Sequence, residues 1–193
     1  MKLTETAPPA ATVVTLAEFS SHLRLAYGFP DDGAEDALLD LYLKNATAAV
    51  EAWTGRALIR RGFRLEVRSW DRAGQLVLPI GPVDAIGSFR FVGAAGTVDV
   101  AAGGFELEPG TVRQRVSGPA GGALPPIPAG HVAELTFDAG YGLTGSDVPG
   151  GLRQAVMLLA AHYYENRRGE AAAEAGMPIA VQALLESERP VRL

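Results

Sequence analysis

The 193-residue chain has no cysteine, so it can hold no disulfide framework, no thiolate nucleophile and no thiolate metal site. It also has few lysines: of the 17 basic residues only Lys2 and Lys44 are not arginine, a skew that reads as codon composition. Histidine is scarce as well, with His22, His131 and His162 at spacings that fit neither a zinc site nor a facial triad. No apolar run approaches the eighteen or so residues of a membrane span. The opening Met1-Lys-Leu-Thr-Glu-Thr6 lacks the basic-then-apolar order of a signal peptide, so a soluble, non-secreted chain with no membrane partner is expected. The net charge of −5 disfavours tight duplex binding, which comes mainly from Lys and Arg neutralising phosphates.

What is present falls into helix, strand and helix blocks. Residues 1–14, with Pro8-Pro9, carry no periodicity and predict a flexible or partner-ordered arm, with Val13 and Val14 a second candidate for portal contact. Thr15 with Glu18 matches a capping box, predicting a helix over 16–26 with Phe19, Leu23 and His22 inward. Asp31 or Asp32 can cap a second helix that ends at Gly55. Its inward face reads as Leu38, Leu41, Tyr42, Ala46, Ala49, Val50 and Trp53, opposite Asp36, Asp40, Lys44, Thr47 and Glu51. From residue 57 the period drops to two. Phe63, Leu65 and Val67 alternate with Arg64, Glu66 and Arg68. Further short strands are predicted at 76–78, 86–92, 97–100, 105–107, 112–116 and 132–137, punctuated by Gly and Pro turns.

The break at Gly140 and Gly142 leads through Pro149, placed for a first helical turn, into a helix that is apolar on too many faces. Leu152, Ala155, Val156, Leu159 and Tyr163 form one stripe; Met157, Ala160, Ala161 and Tyr164 form a second. A helix apolar nearly all round sits in a core or is shared with a neighbouring subunit, so the second stripe is the predicted subunit interface. Residues 170–176 read as a connector, Pro178 starts a short helix with Val181, Leu184 and Leu185, and 188–193 form a tail. The fold class is therefore α+β. A helical bundle of 15–56 and 147–187 carries an inserted antiparallel β sandwich or small barrel at 57–142, and the last two helices pack on the first pair.

No catalytic, cofactor or metal constellation emerges. His162 and Glu165 lie one turn apart, but no matching carboxylates come from other helices. Gly145-Ser146-Asp147 lacks a strand-elbow context, and the glycine clusters at 93–96 and 118–122 lack a P-loop lysine. The sequence predicts a protein that is not an enzyme.

An ordered set of segments resembles a known family. It comprises Val14-Thr-Leu-Ala-Glu-Phe19, Ala48-Ala-Val-Glu-Ala-Trp-Thr-Gly-Arg56, Leu78-Pro-Ile-Gly-Pro-Val-Asp-Ala-Ile86, Phe105-Glu-Leu107, Phe137-Asp-Ala-Gly-Tyr-Gly142, the stretch 148–167 and the stretch 178–185. In this order it is similar to the head-to-tail connector (adaptor) proteins of tailed phages, prophages and gene transfer agents, across most of residues 14–192. The sequence departs from the family at Ser187-Glu-Arg189-Pro190, where an aromatic often precedes the arginine.

The resemblance implies a structural particle protein, made in the bacterial cytoplasm and sited at the head–tail junction. Its implied partners are sister copies in a homo-oligomeric ring, expected as a dodecamer matching the portal, then the portal protein and the next neck or head-closure protein. DNA would pass through unbound. An isolated subunit is expected to be monomeric or weakly associated and to close its ring on the portal.

Leu184, Leu185, Arg189, Val191, Arg192 and Leu193 are the predicted portal contact, because an apolar chain end is often ordered by a partner. Asp31, Asp32, Glu35, Asp36 and Asp40 are predicted to face the lumen, or else to be an ordinary solvated helix face. Arg56, Arg60, Arg61, Arg64, Arg68 and Arg72 form a basic cluster that would meet an acidic neighbour or line a wet strand face. The alternatives are another neck component, such as a head-completion or tail-terminator subunit, and a ligand-binding β domain with helical decoration.

Overall fold

A computed structural model describes residues 1–23, 35–94, 96–110, 113–166 and 177–186. The expectations at Asp31, Asp32, Arg189, Val191, Arg192 and Leu193, and for the connector at 170–176, lie outside these residues. The chain divides into two compact units: Met1–Pro9 with Gly55–Tyr141, and Ala10–Thr54 with Gly142–Leu193.

The first unit is built on alternation. Strands β1 (Lys2–Glu5), β2 (Arg61–Val67), β3 (Leu76–Val77), β4 (Val83–Gly93), β5 (Gly96–Asp99), β6 (Glu106–Leu107), β7 (Arg115–Ser117) and β8 (His131–Ala139) form two antiparallel sheets. The larger runs β1-β2-β8-β4-β5 and the smaller β3-β7-β6. Register aligns Leu3, Leu65, Leu135 and Phe89 in one row and Val67, Ala133, Phe91 and Val98 in the next, all on one face. That face joins Leu76, Leu78, Val116 and Leu124 in a single apolar core. The opposite face is polar, and there Glu134 accepts from Arg90 Nε at 2.7 Å.

Trp70 closes the sandwich, edge-on to Phe89 with its indole N–H donating to Pro125 O at 2.9 Å. Gln114, itself buried, fastens β4: its amide oxygen accepts from Val83 N–H at 2.7 Å and its Nε2 donates to Val83 O at 2.6 Å. At the end of β8 the chain must turn hard. Gly140 has φ +136°, and a Cβ there would lie 2.4 Å from Arg60 N.

Two expectations are corrected here. Residues 1–14 are not a free arm among the described residues. Lys2–Glu5 pair with β2 through Leu3↔Leu65 and Thr4↔Arg64, because the alternating Lys-Leu-Thr-Glu can pair with a strand that has an open side. Val13 and Val14 are buried in the second unit. The β7 strand begins at Arg115, so Arg113 and Gln114 of the predicted 112–116 lie outside it.

The second unit holds α1 (Leu16–His22), α2 (Asp36–Thr54), α3 (Gly150–Glu165) and α4 (Ile179–Glu186), with α2, α3 and α4 in mutual contact and α1 on α2. The capping box at α1 is formed: Glu18 N–H donates to the Thr15 hydroxyl at 3.2 Å and Thr15 N–H to the Glu18 carboxylate at 2.8 Å. Arg153 of α3 extends this tie, reaching Glu18 at 2.8 Å and Val13 O at 3.3 Å. Phe19 is buried, but His22, read as inward, is exposed. Pro149 precedes α3 at the cap position and does not occupy its first turn.

The inward face of α2 is corrected in part: Ala46 and Val50 are buried as expected, but the rest of the face is not. The buried residues are Leu39, Leu43, Ala46, Val50 and Thr54, whereas Leu38, Leu41 and Trp53 are exposed. The predicted stripe was turned by about one residue, or roughly 100°. Two adjacent apolar stripes lie on this helix, and periodicity alone cannot say which one the core takes.

Candidate functional site: assembly surfaces

The described residues contain no group of three His, Asp or Glu placed to hold a metal. His162 Nδ1 lies 3.0 Å from the Asn166 amide, which also donates to His162 O at 2.8 Å, so this histidine serves the end of α3. A groove of about 390 Å³ in the second unit is lined by residues including Trp53, Leu159, His162, Tyr163 and Met177. Its walls are mostly apolar, and burial alone raises the Tyr163 phenol above its usual range.

The basic cluster is largely spent within its own unit. Arg56 is buried on the Tyr141 hydroxyl, Arg60 pairs with Asp84 at 2.7 Å and Arg61 with Glu5 at 2.6 Å; Arg64 lies 3.8 Å from Glu134. Arg68 and Arg72 are exposed. Arginines that are neighbours in sequence disperse to carboxylates on different strands, Glu5 of β1, Asp84 of β4 and Glu134 of β8.

The acidic residues of α2 are on the surface. Glu35 and Asp36 are exposed, with Glu35 accepting from the Tyr164 hydroxyl at 3.1 Å, and Asp40 pairs with Lys44 at 2.6 Å. The second stripe of α3 is divided. Ala160 and Ala161 are buried in the protomer, while Met157 and Tyr164 are partly exposed. The helix is apolar all round chiefly because α2 and α4 cover it, so the two alanines are core and not contact surface. Leu185 is likewise wholly buried, and of the predicted portal residues that are described only Leu184 reaches the surface in part.

Sequence reading missed other exposed features. Leu38, Leu41 and Trp53 are displayed on α2, and Ile179 opens α4 at 85 % exposure. The larger sheet also keeps both edges, β1 and β5, exposed at every residue, with Leu3 and Val98 showing apolar side chains there. Alternation within β2 gave no sign of a partner on its outer side.

No protein-family model matches this chain, and no curated protein matches it. Solved structures do. One match is a chain in the neck of an empty GTA particle computed with C6 symmetry, 46% identical with a TM-score of 0.87; it covers 100% of this chain and 97% of that one. A chain in the virion of a native gene transfer agent (GTA) particle is 46% identical at a TM-score of 0.85, with the same coverage. A chain in the neck of a native GTA particle computed with C12 symmetry is 42% identical at 0.82, again over 100% and 97%. A fold shared over its full length with these particle chains defines the class: a structural component of a particle. The chain belongs to the family of gene transfer agent neck proteins that these structures contain.

Proposed function

We propose that the chain is the adaptor of its particle: copies form a ring beneath the portal, seal that junction and offer a platform to the next neck component. The observation that carries this reading is the full-length likeness to neck chains computed with C6 and C12 symmetry. A chain repeated about an axis needs heterologous contacts that close, and a dodecamer would match a twelvefold portal. The conduit role is supported by charge. A net charge of −5 disfavours tight duplex binding, and Glu35 with Asp36 and Asp40 of α2, together with Asp31 and Asp32, would repel the duplex at the lumen or its rim. Met157 and Tyr164 are offered as subunit contacts. Leu184, with Arg189, Val191, Arg192 and Leu193, is offered as the portal contact.

The test is to assemble particles in cells lacking the distal neck and tail proteins. The adaptor should co-purify with portal-bearing heads in ring stoichiometry. Its absence from those heads, together with recovery on free tails, would sink this reading in favour of a tail-terminator role.

A further inference from the structure

The ring reading leaves open which surfaces meet, and the larger sheet offers a matched pair. We propose that, in the ring proposed above, β5 of one copy is extended by β1 of the next as a parallel strand, with Leu3 beside Val98.

Hydrogen bonding fixes which backbone groups are free for this. Thr6 N–H donates to Gly62 O at 2.9 Å, and bonding alternates along an antiparallel pair, so Thr4 and Lys2 face β2 while the N–H and C=O of Leu3 and Glu5 point out of the sheet. At the other edge Val100 N–H donates to Phe89 O at 2.8 Å, so Val98 faces β4 while Thr97 and Asp99 point out. In a parallel ladder one residue bonds the two residues flanking its neighbour. Leu3 N–H would donate to Thr97 O and Asp99 N–H to Leu3 O, which puts Leu3 next to Val98.

Side-chain alternation selects the same register independently. Leu3 lies in the row of Leu65 and Leu135, and Val98 in the row of Phe91 and Ala133, on the same face. Both are exposed in the protomer, at 36% and 54%, and each would cover the other. On the polar face Thr4 comes beside Asp99, with the Lys2 ammonium within reach of the same carboxylate. A slip of one residue would lose both matches.

Strand direction selects the partner. Five strands paired antiparallel throughout leave β1 and β5 running the same way. A rotation that builds a ring of six or twelve falls far short of a half-turn, so it preserves strand direction and permits this parallel pairing. Pairing β1 with β1, or β5 with β5, would require the antiparallel two-fold of a dimer. The edges are only four residues long and carry Lys2, Glu5 and Asp99, which keeps free protomers from zipping together before assembly.

The test uses the cysteine-free background. Particles are made with Leu3→Cys/Val98→Cys as the only copy of this chain, then oxidised and run on a non-reducing gel. Within one protomer the two positions lie four strand spacings apart, about 19 Å, too far for a disulfide, so any link joins two copies. A ladder of multimers that collapses on reduction is expected from the double variant, and monomer alone from each single variant. A double variant present in necks yet monomeric on the gel would overturn the proposal, as would dimers from a single variant. Asp99→Pro removes an outward N–H that the protomer does not use. It should keep the wild-type circular dichroism and melting midpoint while disappearing from necks, and normal incorporation would refute the pairing. If the unaltered chain is itself missing from portal-bearing heads, the adaptor reading fails first and this inference with it.

Discussion

Replacing Gln114 by leucine keeps the side chain's size but removes both hydrogen bonds that hold Val83 at the start of β4. Val83 is buried, so its N–H and C=O would be left without partners or would have to draw water inward. Each buried backbone group left unpaired costs about 1–3 kcal/mol, so Gln114→Leu, which strands two, should destabilise the β unit by about 2–6 kcal/mol. Urea unfolding gives the total, and amide exchange at Val83 gives the local effect, which matters because the chain holds two compact units.

Gln114→Glu sharpens the test. A charged carboxylate retains the acceptor for Val83 N–H but loses the donor to Val83 O, while the protonated acid can supply both. Burial favours the neutral form and raises the folded pKa of the introduced carboxyl above its unfolded value. Its contribution is then fully present below the unfolded pKa, about 4.3, and is lost as pH rises through the folded value. The deficit of Gln114→Glu relative to wild type should therefore shrink on acidification, while that of Gln114→Leu should not. A Gln114→Leu protein within about 0.5 kcal/mol of wild type, with unchanged exchange at Val83, would refute the clamp.

Gly140→Ala forces a side chain into a left-handed φ and against the Arg60 backbone, so it should cost at least about 1–3 kcal/mol in thermal or chemical unfolding. The Glu18 carboxyl is held below its usual range, first by Thr15 N–H, then by the Thr15 hydroxyl and by Arg153. The stability it contributes is present above its unfolded pKa and is lost as pH falls through the lower folded value. Glu18→Gln should therefore flatten the acid-side loss of α1 protection in hydrogen exchange, with a neutral-pH cost below about 1 kcal/mol because the group is largely exposed. Deleting residues 188–193 should leave the melting midpoint unchanged while blocking attachment to portal-bearing heads. Unchanged particle yield would eliminate the tail as portal contact.

Local chemistry was readable wherever a short-range rule had no competitor. The Thr15–Glu18 capping box, the alternation of Phe63, Leu65 and Val67, and the turn at Gly140 each depend on a few neighbouring residues, and each appears in the structure. The order of segments carried the family resemblance for the same reason, since it too is written along the chain. The face of α2 was not readable: Leu38 and Leu39, or Leu41 and Leu43, are equally apolar, and the partner helices decide which is covered. The fate of the arginines was hidden as well, because Glu5, Asp84 and Glu134 reach Arg61, Arg60 and Arg64 only after the strands pair.

By itself, then, the sequence determined the absence of thiol chemistry, the periods of its elements and their order, because these follow from residue type and near-neighbour spacing. Tertiary structure alone decided which surfaces remain for assembly. It drew Ala160, Ala161 and Leu185 into the core and recruited residues 2–5 as an edge strand, leaving Leu3 and Val98 at the two margins of one sheet. Burial and edge status belong to pairs of elements distant in sequence, and the residues of either element alone do not carry them.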